Sequence, residues 1–407
     1  MAGARERLGA VWGGRRRWWL GAALALLAVL AIVVAVSWHF SDAVVVPDHS
    51  SYAPQVEVEG MPPGRIVLAR DADSERPGAY GLEWPGGHAV AGAVLARADD
   101  TVTRRLRDVR GYLVPEMKVG IESDVFVGDP RQALGLPYRQ VAVPDELGPM
   151  PAWLVPAGRP GRRGGAALPA TWAIFVHGIN GSRENGLRLV PALHRAGLPT
   201  LLISYREDQG APASPDGFHH MGQTEWFDLE AAVRYALTHG ARRLVLAGAS
   251  MGGAIVAQFM EKSALADRVA GLVLDAPVLD WRATLEFHAT EMGLPGFSAM
   301  PVEWAVGARI DADWDSLDAV SHPDAFQLPI LLFHGTDDEV VPIATSDAFA
   351  AELPARVTYY RVPHAGHVQS WNVDPSLYDR RLTSFLASLE KDRAQAGREK
   401  QPDGPSE

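Results

Sequence analysis

Apolar residues recur along this chain in three patterns, and each predicts a different kind of element. From Trp18 to Val36 they run without a charge, about the length a helix needs to cross a hydrocarbon core. After that run, short β-rich stretches alternate with turn formers. Arg65–Arg70, Ala89–Leu95, Thr101–Val109 and Val125–Val127 read as strands, Pro85-Gly86-Gly87 as a turn, and Val46 to Arg65 as a linker. From Tyr138 onward strand-like and helix-like patterns alternate. Tyr138–Val143 and Ala152–Pro156 flank a turn at Pro144–Met150, and Ala157–Pro169 reads as a Pro/Gly/Arg loop. Strands follow at Trp172–Val176, Thr200–Ser204, Arg243–Ala247, Gly271–Leu274, Ile330 and Thr358. Helices are expected around Asn185–Ala196, Trp226–Thr238, Met251–Ser263 and Leu377–Leu389. Strands separated by helical patterns imply crossovers and a mainly parallel sheet.

The flanks of the first run give it a direction. Arg5, Arg7 and Arg15-Arg16-Arg17 precede it, Asp42 and Asp48 follow, and Trp18, Trp19 and Trp38 mark its ends. A basic flank stays in the cytoplasm and tryptophans favour the interfaces, so the reading is an anchor with the rest of the chain outside. A cleaved signal peptide is the rival, with Ala35-Val36-Ser37 as its cleavage site, but its apolar region is normally shorter. The expected organisation is therefore a basic N-terminus over 1–17, a transmembrane anchor over 18–40, a linker and small β-rich module over 41–137, a catalytic domain over 138–389, and a disordered tail over 390–407.

Composition narrows the chemistry. Across 407 residues, 47% are hydrophobic and 21% charged, which describes a chain that folds. A net charge of −11 argues against a nucleic-acid partner. With no cysteine, disulfides, catalytic thiols and zinc thiolates are excluded. His219-His220 and His239 lack metal-ligand spacing, so neither metal nor cofactor is expected.

The most informative stretch is Gly248-Ala249-Ser250-Met251-Gly252-Gly253, directly after an apolar strand. A serine between glycines lets the backbone turn sharply from strand to helix and expose the hydroxyl. Such a hydroxyl needs a base. The chain supplies an acid turn at His334-Gly335-Thr336-Asp337-Asp338 and a histidine loop at His364-Ala365-Gly366-His367, each after a strand-like run. On these motifs, with His177-Gly178-Ile179-Asn180-Gly181, residues 138 to 390 resemble the α/β-hydrolase superfamily.

The resemblance implies Ser250 as nucleophile, His367 as general base and Asp338 as the acid that orients it. Asp337 and His364 are the competing neighbours, set aside by the family's spacing. It also implies that the backbone N–H groups of Ile179 and Met251 receive the oxyanion, while His177, Gly178, Gly248 and Gly252 support the motifs. The stretch Trp281 to Phe326 would form a cap, with Trp281, Phe287, Met292, Phe297, Met300, Trp304 and Trp314 lining an acyl pocket or packing on the sheet. The loop Arg206–Phe218 would rim the site. The β-rich module is read as structural. The expected function is a membrane-anchored serine hydrolase acting on a small-molecule carboxylic ester or other acyl substrate. A peptidase or amidase, an acyltransferase, and a non-catalytic binding protein of the same fold stay open.

Overall fold

The computed structural model describes residues 2–50, 55–158 and 170–399. Eight strands make the larger sheet: β7 (Arg139–Val143), β8 (Met150–Val155), β9 (Thr171–Val176), β10 (Thr200–Ile203), β11 (Arg243–Ala249), β12 (Val269–Asp275), β13 (Ile330–Gly335) and β14 (Val357–Val362). Their order is β14-β13-β12-β11-β9-β10-β8-β7. Pairs from β14 through β10 are parallel, and only β8 and β7 join antiparallel, as the opening hairpin predicted. Every residue of β9, β10 and β13 is buried, as expected for parallel strands covered on both faces. Side chains alternate between the two faces. Leu244 and Leu246 join the core under helices Trp226–Thr238 and Met251–Lys262; Val245 and Ala247 join the core under Val190–Arg195 and Pro375–Glu399.

Residues Val56 to Glu122 form a separate closed barrel: β1 (Val56–Gly60), β2 (Arg65–Ala69), β3 (Tyr80–Trp84), β4 (Gly87–Arg97), β5 (Thr101–Arg110) and β6 (Lys118–Glu122), in the order β1-β2-β5-β4-β3-β6. Three strands escape the sequence reading. The first lies inside the expected linker, and β3 and β6 each carry a glycine and a glutamate that mask their alternation. Val125–Val127 is not a strand but loop. A fully buried Arg104 fastens the barrel, donating to the carbonyls of Gly92, Ser74, Arg76 and Gly78 at 2.8–2.9 Å.

Helical boundaries also shift. The first helix runs Ala2–Val45, beyond both ends of the expected anchor. The expected helix at Asn185–Ala196 is a 3₁₀ turn, Arg183–Arg188, followed by Val190–Arg195 with a proline in its first turn. After the acid turn a helix runs Ile343–Glu352, with Pro342 and not Asp338 at its N-cap. The last helix continues to Glu399, into the tail expected to be disordered. Residues 159–169 of the expected loop and 400–407 of that tail lie outside the described residues. Between β12 and β13, helices Trp281–Glu291 and Met300–Ile310 with short 3₁₀ turns occupy the expected cap.

Candidate active site

Ser250 stands between the end of β11 and the helix Met251–Lys262, with φ 53° and ψ −125°. Such a conformation is strained for a residue with a side chain. Its neighbours make room for it. A Cβ on Gly248 would lie 2.5 Å from the Gly252 carbonyl oxygen, and one on Gly252 would lie 2.2 Å from that of Val176. Any larger residue at either place would push the helix off the sheet. The Ser250 amide donates to the Asp275 carbonyl at 3.2 Å, and the Ser250 carbonyl accepts from Gly253 at 2.8 Å.

Three expected residues meet in a line. His367 Nε2 lies 2.8 Å from Ser250 Oγ, and His367 Nδ1 lies 2.9 and 3.1 Å from the two Asp338 oxygens. Asp338 also accepts the backbone N–H groups of Val340 and Val341, each at 2.9 Å. Burial pushes its carboxyl up, but hydrogen bonds from His334 and His367 outweigh this and hold it well below the usual carboxylate range. It is an anion ready to steady an imidazolium. The competing neighbours are elsewhere: Asp337 and His364 face each other at 3.6 Å, both well exposed.

Sequence reasoning missed His334, read only as the first letter of the acid motif. It is fully buried, with Nε2 3.2 Å from Asp338 Oδ2 and Nδ1 2.7 Å from Ser346 Oγ. A serine donating to Nδ1 leaves Nε2–H to donate, between the Val341 carbonyl at 3.1 Å and Asp338 Oδ2, the oxygen that also faces His367 Nδ1. The signal was the helix that starts directly after Pro342 and carries Ser346 in its first turn.

On the other flank, the loop after β9 passes directly over the serine. A Cβ on Gly178 would lie 2.9 Å from Ser250 Cβ and 3.4 Å from its Oγ, so Gly178, the residue before Ile179, sits against the serine. His177 is buried beneath, with Nε2 2.8 Å from Asp208 Oδ2 and its ring stacked on Tyr205 at 4.4 Å. Tyr205 Oη donates to the Gly178 carbonyl at 2.8 Å. The loop expected as a rim therefore starts inward, since Arg206, Glu207 and Asp208 are buried and Arg206 pairs with Asp228 at 2.8 Å. His219 lies 3.2 Å from Asn180 Oδ1, His220 pairs with Asp216, and His239 stacks on Tyr235. Among the described residues, no group of histidines and acids is arranged for a metal.

The cap corrects a further expectation. Trp281 is buried and donates to the Met221 carbonyl at 2.9 Å, but Met292, Phe297, Met300 and Trp304 face outward. Met300 and Trp304 point away because their helix turns its other face, with Ala305, Val306 and Ile310, to the core, while Met292 and Phe297 lie on the exposed connection before it.

The barrel touches the histidine loop. Asn372 Nδ2 donates to the carbonyls of Ala79 and Ser123, both at 2.8 Å, and the Ala79 amide donates to the Asn372 carbonyl at 2.9 Å. Arg188 donates to Asp124 at 2.9 Å and to the Val368 carbonyl, next to His367, at 2.9 Å.

Comparison with known proteins agrees with this architecture. Residues 214–391 match the prolyl oligopeptidase family, and residues 57–121 match a domain of unknown function, DUF8805. Two uncharacterized proteins of Mycobacterium tuberculosis, from strains CDC 1551 / Oshkosh and H37Rv, are 27% identical over 223 residues, 54% of this chain and 68% of theirs. Among solved structures, an esterase of Pyrococcus furiosus aligns with TM-score 0.51 at 19% identity, covering 64% of this chain and 95% of its own. A thermophilic esterase from Thermogutta terrifontis aligns with TM-score 0.44 at 20% identity over 62% of this chain and 99% of its own. At 19% identity the likeness to the Pyrococcus esterase is one of fold.

Proposed function

We propose that this chain, which belongs to the α/β-hydrolase superfamily, hydrolyses carboxylic esters through an acyl-serine intermediate. The observation that carries the reading is the hydrogen-bonded line from Ser250 through His367 to Asp338, with the serine strained outward on its turn. Ser250 Oγ attacks the ester carbonyl carbon as His367 Nε2 takes its proton. The N–H groups of Ile179 and Met251 receive the oxyanion, a pair of contacts each worth about 3 kcal/mol in related chemistry. Collapse breaks the bond to the alcohol, which leaves with the proton from His367. Water, deprotonated by the same nitrogen, then attacks the acyl-serine and releases the acid.

Peptide hydrolysis is the second reading, favoured by the match to the prolyl oligopeptidase family. Against it stands the small barrel over residues 56–122 where a peptidase of that family would carry a large propeller. The helix Trp19–Val45 is long and apolar enough to cross a membrane, and the basic flank before it supports a cytoplasmic N-terminus with the hydrolase outside. The full chain should turn over p-nitrophenyl esters, with Ser250→Ala inactive. Faster cleavage of prolyl p-nitroanilides would favour the peptidase, and an unlabelled Ser250 towards a fluorophosphonate probe in folded protein would point to a binding protein.

A further inference from the structure

The anchor helix does not stop at the membrane and then hand over to a flexible tether; its last turns are built into the cap. Ser37, Ser41 and Val45, spaced four apart on one helical face, are buried. Arg309 of the cap helix Met300–Ile310 donates to Ser41 Oγ at 2.7 Å and Asp42 Oδ1 at 2.6 Å, and its guanidinium lies 5.1 Å from the Trp38 ring. Val44 packs on a cap cluster made by Leu285, Ala289 and Ala299, beside Val302 and Trp314. The cap is thus clamped along Trp38 to Val45 and has a defined height on the anchor.

That height can be read in residues. The apolar span Trp19–Val45 holds 27 residues, about 40 Å of helix. A bilayer measures about 30 Å across its hydrocarbon and about 40–45 Å with its headgroup layers. The last turns of the span therefore occupy the outer headgroup layer, with the cap segment beside them. On that segment Met292, Leu294, Phe297, Met300 and Trp304 all stand outward, Phe297 71% and Trp304 63% exposed. Five large apolar side chains within thirteen residues make a patch that water does not favour, and tryptophan and phenylalanine are the residues that settle at a lipid interface.

We infer that the cap rests in the outer headgroup layer through this patch, and that the enzyme draws its substrate from the bilayer as a long-chain acyl ester lipid. The proposal builds on the ester-hydrolase reading and on the helix spanning the membrane. It names the occupant of the patch, a lipid surface, from the continuity of the patch with the anchor. Seating the cap among headgroups delivers an ester bond, which sits at that depth in an acyl lipid, next to a site whose oxyanion loop already touches the anchor's end. Asn180 accepts from the Asp48 amide at 2.9 Å, and the Val45 carbonyl accepts from His219 at 2.9 Å.

The chain has no cysteine, so one introduced thiol can be labelled cleanly. The full chain, carrying Phe297→Cys or Tyr112→Cys with an environment-sensitive fluorophore, is inserted in phosphatidylcholine vesicles. Tyr112, 76% exposed on the barrel, is the aqueous reference. A label at position 297 should shift to the blue and be quenched by brominated lipid, while the label at 112 stays as in water. A label at 297 that behaves like the one at 112 overturns the proposal. So does one shielded from water but untouched by lipid quencher and sensitive to protein density, since a second copy then covers the patch. In parallel, Phe297→Ser/Trp304→Ser should lower the ratio of turnover on a vesicle-embedded long-chain ester to turnover on a dissolved short-chain ester by tenfold or more; an unchanged ratio rejects the lipid substrate. Turnover that persists in Ser250→Ala would instead sink the serine-hydrolase reading, and the labelling would stand apart from it.

Discussion

The parallel sheet and the β-barrel are both made of short apolar strands, yet they contribute opposite things to the site. Strand ends of the sheet carry the candidate catalytic side chains: Ser250 after β11, Asp338 after β13 and His367 after β14. The barrel delivers none: the carbonyls of Ala79 and Ser123 at its edge accept from the Asn372 side chain, and Asp124 accepts from Arg188, which also donates to the Val368 carbonyl beside His367. A Cβ on Gly78, at the barrel's edge, would lie 2.0 Å from the Asn372 carbonyl oxygen, so the two units meet without slack. The candidate catalytic side chains thus stand on sheet tips, and the segment that follows one of them, His367, is contacted by the neighbouring barrel module through Asn372 and Arg188.

That division can be broken from the chemical side first. Asp338→Asn should lower kcat about 10⁴-fold with KM little changed, because an amide no longer enforces the tautomer that leaves Nε2 free to accept the serine proton. A drop of less than tenfold would transfer the orienting role to another acid. A slower fall is expected from His334→Ala, about tenfold in kcat, together with a shift of the acidic limb of the pH–rate profile. His334 and His367 together hold Asp338 ionised, so losing one donor lets the carboxyl take up a proton at higher pH. An unmoved profile would leave His334 a packing residue only.

The barrel side predicts smaller effects. Asp124→Ala removes a partner of Arg188, whose side chain is nearly buried. It should lower kcat about tenfold, on the order of 1.4 kcal/mol in the barrier, and leave KM unchanged. A change in KM alone would mean that the barrel meets substrate rather than positions the loop.

The smallest effect concerns pH and stability. Burial, with Glu83 and Asp124 close by, raises Glu122 at the barrel's rim to about 7, and burial raises Glu184 on the facing 3₁₀ turn to about 7 as well. The folded protein holds these protons where the unfolded chain, near 4.5, has released them. Stability from this cluster is therefore full below about pH 4.5 and is lost as pH rises toward 7. The melting temperature of the barrel should rise by a few degrees between pH 7.5 and 5.5, and Glu122→Gln should flatten the trend. A steeper trend in that variant would contradict the assignment.

Much of the catalytic side was legible because its motifs are local. Gly248 and Gly252 report that backbone crowds the turn, and a strand followed by Asp338 or His367 reports a sheet tip; each is a few residues long and holds its own geometry. Long uniform apolar runs likewise marked β9 to β13 and the N-terminal helix. The barrel was half legible, since its strands hide among glycines and glutamates that make sense only once the ring is closed and Arg104 is capped by four carbonyls.

By itself, then, the sequence determined the parallel sheet, the order of serine, acid and histidine, and an apolar N-terminal span, because each is encoded by neighbours in the chain. Tertiary structure alone decided that His334 reaches Asp338 beside His367, that the barrel meets the segment after His367, and that cap aromatics face outward near the long N-terminal helix. Those contacts join residues up to 293 positions apart, and no local pattern of polar and apolar residues records which distant surface a side chain will meet.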